Sequence, residues 1–426
     1  MTSFISTRGI GPVPLAEALF TGLAPDGGLY VPTDLCPLPR LPDQVDSLAD
    51  VGRWLAPTLF AGTDPDVIDQ VVTEAFTFPV PLVEVDTDVY VLELFHGPTH
   101  AFKDIGARFM ARLMSELDPG GDRRTVLVAT SGDTGSAVAH AFHGLAGYRV
   151  IVLFPRGAVS DRQRRQMTTL GDNVVALAVE GTFDDCQRMA KEAFNDPALR
   201  ARHRLTSANS INVGRLLPQS FYYVYAAARL GWLERPARFV VPSGNLGNLS
   251  GGLLAHRCGM PNRGFIAATN ANRAFADFLD VGAFEARPSL PTYSSSMDVG
   301  NPSNLERIRW LYPDDMSQLR HDVTGVSVSD FDTRACIERV HTRTGYVLDP
   351  HTSVGFLAHS AHPAPRGTPS VVLATAHPAK FPEIVEEAIG HAVPLPAGIA
   401  AVMDAEEHME DIPAEIGALS AKMDAP

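Results

Sequence analysis

The chain has 426 residues, 45% hydrophobic and 20% charged, a globular composition long enough for two or three domains. It carries 49 acidic against 35 basic residues, a formal net charge of −14, which disfavours a nucleic-acid partner that needs a basic face. No apolar run reaches the ~20 residues of a membrane span. The N-terminal MTSFISTRGIG lacks the apolar core of a signal peptide, and Cys36, Cys186, Cys258 and Cys336 are scattered without a CxxC pair. Together these predict a cytoplasmic protein with neither a disulfide framework nor a zinc site.

Residues 1 to about 60 are rich in Pro and Gly, with a helical pattern over LAEALFTGL and a surface connection from Pro32 to Pro42. From about residue 90 short apolar runs alternate with helical stretches. The runs are TVLVAT (125–130), VIVLFP (150–155), VVALAVE (174–180), RFVVPS (238–243), FIAATN (265–270) and VVLATA (371–376). Continuous apolar strands separated by helices predict parallel sheets covered on both faces, an α/β fold. The long helical stretch NVGRLLPQSFYYVYAAARLG separates two such blocks. The expected organisation is a loop-rich and helical N-terminal region (1–90), a first α/β lobe (91–210), a second α/β lobe (211–395) and an acidic tail (396–426). The tail matches no catalytic motif and is expected to pack on the surface or stay mobile. Ligands of open α/β sheets sit beyond the carboxyl ends of the strands, and several motifs fall there.

In FHGPTHAFKDIGARFM (95–110), Lys103 follows a Gly-Pro turn and opens a helix. Desolvation and the positive helix end both lower an amine's pKa towards the neutral form needed for a Schiff base. The plainer alternative is a solvated first-turn lysine paired with Asp104 or another nearby carboxylate. His96 and His100 are four apart, but Gly97-Pro98 breaks the helix that would aim both rings at one metal, so both are read as structural. In TSGDTG (130–135), a strand gives way to a helix through small residues, a turn that binds carboxylate or phosphate or is simply a capped βα turn. In VPSGNLGNLSGG (241–252), Gly244 and Gly247 let the backbone approach an anion, and Asn245 and Asn248 tolerate unusual φ and donate hydrogen bonds. No Gly-Lys-Ser/Thr and no dinucleotide GxGxxG follows. A phosphate cradle without an acidic ribose reader suits a cofactor whose only anion is one phosphate, such as pyridoxal 5′-phosphate (PLP). Thr375 ends a strand in VVLATAHPAKF, where a neutral hydroxyl suits a pyridine nitrogen, or is satisfied by backbone. Lys380 either holds a substrate phosphate or starts a surface helix.

These segments, in this order, resemble threonine synthase, a fold-type II (tryptophan-synthase-like) PLP family, in the branch found in fungi and many bacteria. STRG (6–9), GLAPDGGLYVP (22–32), HGPTHAFKD (96–104), SGDTG (131–135), NSIN (209–212) with Arg215 and Gln219, GNLGN (244–248), SSSMDVGNPSN (294–304) and ATAHPAKF (374–381) carry the resemblance, which runs to about residue 390. It implies a Schiff base with PLP on Lys103 and a cofactor site of Gly244, Asn245, Leu246, Gly247, Asn248 and Thr375. Asp133 joins that site, although many fold-type II enzymes carry Asn at its position. The resemblance also implies a substrate-carboxylate loop of Ser131, Gly132, Thr134 and Gly135. The loops around Ser131, Asn212, Arg215, Arg307 and Lys380 are expected to supply the basic or hydroxyl groups around the substrate phosphate. The implied reaction converts O-phospho-L-homoserine and water into L-threonine and phosphate, in a monomer or homodimer. The competing readings are a phospho-lyase giving 2-oxobutanoate, a serine or threonine deaminase, and a non-catalytic anion-binding protein on the same fold.

Overall fold

A computed structural model describes residues 3–40, 45–118 and 121–425. Thirteen strands are described: β1 (Ser3–Ser6), β2 (Val13–Pro14), β3 (Tyr30–Pro32), β4 (Leu82–Asp86), β5 (Val89–Glu93), β6 (Arg124–Ala129), β7 (Tyr148–Pro155), β8 (Val174–Glu180), β9 (Arg238–Pro242), β10 (Phe265–Thr269), β11 (Val323–Ser327), β12 (Ser370–Ala374) and β13 (Met409–Pro413). They form three sheets. A small antiparallel sheet has the order β2-β1-β3, a four-stranded sheet the order β13-β8-β7-β6, and a six-stranded sheet the order β11-β10-β9-β12-β5-β4. The four-stranded sheet is wholly parallel, and only β4 runs antiparallel in the larger one. All eight residues of β7 are buried, as expected of a strand covered by helices on both faces.

The fold is the expected α/β class, but the lobes are not contiguous blocks of chain. β5 pairs with β12 in the larger sheet before the chain crosses to β6, β7 and β8. The chain then returns for β9 to β12 and crosses again to β13. The segment expected as one helix over 212–231 is two, Val213–Leu216 and Gln219–Arg229, because Pro218 lacks the N–H that would continue the first. The acidic segment after 396 is also more structured than expected. β13 adds to the edge of β8, and Ile412, Leu419 and Met423 bury their side chains against Cys186 and Met189. The Arg149 guanidinium donates to the carbonyls of Lys422, Met423 and Ala425 at 3.2, 3.0 and 2.6 Å, closing the last helix onto β7.

Lys103 is the first residue of the helix Lys103–Leu117, whose inner face buries Ile105, Phe109, Met110 and Leu113. That helix lies between Pro65–Ala75 and Asp133–Phe142. A Cβ on Gly106 would sit 2.8 Å from the Arg215 carbonyl oxygen, so only glycine lets the following segment pack this close. The loops after β6, β9 and β12 carry the candidate residues, at the carboxyl ends of both sheets. Since Ile412 is the one buried side chain of β13, Ile412→Ala should destabilise the protein by about 2–5 kcal/mol, measured as a shift of the urea midpoint.

Candidate active site

The residues after β5 form a tight loop held by Asp104. Its carboxylate accepts the Thr99 backbone N–H at 2.9 Å and the Thr99 hydroxyl at 2.7 Å. A Cβ on Gly97 would meet the Asp104 carboxylate at 2.5 Å, which explains the glycine of the Gly-Pro turn. Asp104 therefore faces Thr99 and is not the partner of Lys103. The Phe102 N–H donates to the Thr375 carbonyl at 2.9 Å and the His377 N–H to the His100 carbonyl at 3.0 Å, so the ends of both segments lie side by side. The Lys103 side chain is 13% exposed, and its Nζ stands 3.6 Å from Asp133 Oδ2 and 4.9 Å from the centre of the Phe102 ring. Burial pushes the Lys103 pKa down, the charge of Asp133 opposes this, and Lys380 and Arg215 add to the lowering.

Asp133 is the hub of the site. Its Oδ1 meets Lys380 Nζ at 2.7 Å and accepts from Gln163 Nε2 at 2.9 Å; its Oδ2 accepts from Ser296 Oγ at 3.0 Å. Burial alone would raise its pKa, but Lys380 and Lys103 hold it far below the usual carboxylate range. Lys380 is fully buried and gives a second hydrogen bond to the Thr99 carbonyl at 2.8 Å, so it is not a surface helix start. Asp133 opens the helix Asp133–Phe142, preceded by Gly132 at φ 143°. A Cβ on Gly132 would meet Gln163 at 2.6 Å. Thr130 Oγ1 accepts the N–H groups of Gly132 and Gly135, both at 2.9 Å, shaping the loop. Among the described residues the N–H groups of Ser131, Asp133 and Thr134 meet no acceptor, leaving three donors at a helix N-terminus for a carboxylate.

The turn after β9 has Leu246 at φ 60° and leads into the helix Gly247–Arg257. The backbone N–H groups of Gly244 through Asn248 meet no acceptor among the described residues. A Cβ on Gly244 would stand 2.7 Å from Met297 Cα, and one on Gly247 3.2 Å from Ser210 Cβ. Asn248 Oδ1 accepts the hydroxyls of Tyr222 and Tyr223, both at 2.7 Å, which leaves its buried Nδ2 without a partner. This set of orphan donors fits the phosphate of PLP. The Asn245 side chain instead accepts the Ser303 N–H at 2.6 Å and donates to Ser210 Oγ at 2.8 Å, so it holds neighbouring loops together. The turn connects to the lysine through Met297, which touches Gly244, and its neighbour Ser296, which touches Asp133. Thr375 is 6% exposed, one residue beyond the end of β12.

Two expected phosphate ligands are otherwise engaged. Asn212 donates to the carbonyls of Leu19 and Ser207 and caps Gly214, and it is wholly buried. Arg307 gives hydrogen bonds from Nε and Nη2 to the Tyr30 carbonyl, from Nη1 to Ser210 O and Asn304 Oδ1, and from Nη2 to Ile211 O. All five of its donors are thereby taken, so it ties the N-terminal strand β3 to the 210–211 loop and offers nothing to a substrate. Arg215 differs: its Nη1 donates to Ala208 O at 2.6 Å, while its buried Nε has no partner. Burial lowers its pKa to about 10. His96 Nε2 meets Glu93 at 2.7 Å and His100 Nδ1 meets the Phe95 carbonyl at 3.2 Å, so the two rings serve different partners.

Sequence reasoning missed Gln163, Ser296 and a buried pair behind them. Asp349 Oδ1 accepts from His351 Nδ1 at 2.7 Å, and His351 Nε2 accepts the Ser296 backbone N–H at 3.2 Å. A backbone donor at Nε2 requires the proton to sit on Nδ1. The only local signal was Asp-Pro-His at the start of the helix Pro350–Ala361, which reads as an ordinary cap.

A half-buried lysine beside two anion-binding turns, at the carboxyl ends of two parallel sheets, defines a fold-type II PLP-dependent enzyme. The family model for pyridoxal-phosphate dependent enzymes matches residues 74–375, and those for the threonine synthase N terminus and C-terminal region match 3–51 and 352–422. The chain is 40% identical over 413 residues to threonine synthase of Escherichia coli (strain K12), covering 96% of this chain and 95% of that one. The PLP-bound threonine synthase of Brucella melitensis superposes with a TM-score of 0.93 at 36% identity, over 99% of both chains. The yeast enzyme gives 0.90 at 29% identity, over 99% of this chain and 98% of that one. The chain belongs to the threonine synthase family and is a PLP-dependent lyase.

Arg307→Ala would strand four acceptors, two of them on the buried residues Tyr30 and Asn304, so it should cost about 3 kcal/mol of stability, seen as a lower thermal midpoint. A selective rise in KM for a phosphorylated substrate, without that loss, would contradict this placement. Asp133→Asn removes the charge that stabilises protonated Lys103. In cofactor-free protein the midpoint of the pH dependence of Lys103 reaction with an amine reagent should therefore move to lower pH than in the native chain.

Proposed function

We propose that this chain turns O-phospho-L-homoserine and water into L-threonine and inorganic phosphate. The observation that carries the reading is one carboxylate, Asp133, shared by the fully buried Lys380 and the half-buried Lys103 beside two turns of unpaired N–H groups. Lys103 holds PLP, the N–H groups of Gly244 to Asn248 with Asn248 Nδ2 hold its phosphate, and Thr375 meets its ring nitrogen. When bound, that group supplies an electron sink for negative charge at the substrate carbons. The substrate carboxylate sits on the N–H groups of Ser131, Asp133 and Thr134. Arg215, with its free Nε, and Lys380, with one ammonium donor left, meet the phosphate that departs from Cγ.

Once the substrate amine is engaged, Lys103 Nζ takes the Cα proton and later returns one. Burial shifts its pKa downward, towards the neutral amine that a base must be. Lys380 keeps Asp133 ionised and in place while the charge on Lys103 changes. The protein works in the cytoplasm as a monomer or homodimer, without a nucleic-acid or membrane partner. The four described thiols are free.

Lys103→Ala should lose turnover, by a factor on the order of 10⁴ or more. Borohydride-treated native protein should carry a pyridoxyl label on the Lys103 peptide and the variant none. With phosphohomoserine the native product should be threonine. Formation of 2-oxobutanoate instead would favour the phospho-lyase reading.

A further inference from the structure

The segment after residue 396 lies against the outer wall of the site. It leaves the helix Pro382–Ile389 on the larger lobe and reaches β13 on the smaller one. On the way it makes two close approaches. A Cβ on Gly398 would stand 2.9 Å from His100 Nε2 and 3.3 Å from the Pro98 carbonyl oxygen, so the strap runs directly over the loop that carries Lys103. Further on, Glu407 grips the helix Asp161–Thr168. It accepts from Arg164 Nε at 2.8 Å, Arg164 Nη2 at 2.9 Å and Thr168 Oγ1 at 2.7 Å, with Arg165 Nη2 at 3.5 Å. The Arg164 hydrogen bond holds the Glu407 pKa down to about 2. The His408 N–H donates to the Thr168 carbonyl at 2.5 Å, and Arg165 Nη1 to the Ala405 carbonyl at 3.4 Å.

The opposite face of that helix looks into the site. Gln163 and Gln166 are buried; Gln166 Nε2 donates to the Thr99 carbonyl at 3.0 Å, the oxygen that also accepts from Lys380. Gln163 accepts the Ser160 N–H on Oε1 at 3.3 Å and donates from Nε2 to Asp133 at 2.9 Å, so its orientation is fixed by the start of the helix. A small shift of this eight-residue helix therefore moves the group that pins Asp133.

We propose that Glu407 is a positioning residue for the reaction: it latches the C-terminal strap to the helix Asp161–Thr168 and so fixes Gln163 against Asp133, and Asp133 against Lys103. The inference rests on the reading of Lys103 and Asp133 given above. The latch is charge-assisted and two-point on Arg164, the geometry that holds a surface in register. Misplacement of a reacting group by an ångström costs up to on the order of 100-fold in rate, so a remote latch has a kinetic signature.

The test uses full-length holoenzyme with E407Q, T168V, the double variant, and K422Q, which removes the tail ion pair of Lys422 with Glu410 away from this helix. E407Q should lower kcat by on the order of ten- to a hundred-fold with little change in KM, and should alter the visible circular dichroism of bound PLP. T168V should act in the same direction, and the double variant should be within about twofold of the worse single one, because both cut one linkage. K422Q should match the native enzyme in kcat and spectrum. Native kcat and dichroism in E407Q, or losses that multiply in the double variant, would overturn the proposal. So would an equal loss in K422Q, since any loosening of the tail would then suffice. Absence of a pyridoxyl label on Lys103 of the native enzyme would instead sink the reading of the site, and this inference with it.

Discussion

One buried carboxylate shared by two lysine amines, one fully buried and one half-buried, is the constraint around which this molecule is arranged. At about 4 Å and an effective dielectric near 20, a pair of unit charges gains about 4 kcal/mol, comparable to the several kcal/mol that burying each ion costs. An unpaired Asp133 carboxylate would therefore be costly here, and an ammonium together with hydrogen bonds is needed to offset its burial. The distances distinguish the two lysines, and on the proposed reading they divide the labour. Lys380, at 2.7 Å and fully buried, is the counter-ion of Asp133. Lys103, at 3.6 Å and slightly exposed, is the amine left free to change its proton count. The substitution of Asp for the Asn common in this fold thus makes physical sense in this chain, because a second lysine stands beside it.

The three groups hold their places because other segments oppose them on every side. Gln163 and Ser296 each give Asp133 one hydrogen bond, from opposite lobes. Ser296 is in turn fixed by His351, and His351 by Asp349, at the start of a helix that packs under β9 and β12. The same short turn places Met297 against Gly244. The turn after β9 and the carboxylate beside Lys103 are therefore positioned by one element.

What was readable in the sequence was whatever depends on a few consecutive residues. The strands are unbroken apolar runs, and the turns after β6 and β9 consist of glycines and small polar residues at strand ends. Lys103, the SGDTG loop and the GNLGN turn could all be found that way. What could not be read was which polar atoms are already spoken for. Asn212 and Arg307 look like ligands in one dimension, yet their partners, Leu19 and Tyr30 among them, lie nearly 200 and 277 residues away. Only the fold brings those carbonyls within reach. β13 was hidden for another reason. Four of its five side chains are exposed, and pairing along the edge of β8 uses backbone groups, so no hydrophobic period marks it.

The order in which the chain visits its lobes makes the last point. A chain that finished one lobe before starting the next would join them through a single connection, and relative motion would be cheap. Here β5 and the helix after Lys103 link the lobes on the first crossing, residues 181–237 carry the return, and the segment 396–408 crosses once more. Each crossing passes a part of the site: Lys103 on the first, Arg215 on the second, and the strap over His100 on the third. A displacement of one lobe against the other is thus felt directly at Asp133 and the two lysines beside it. Asp133 belongs to the smaller lobe, while Lys380 and Ser296 come from segments of the larger one. The carboxylate meets its partners only when the lobes are in register.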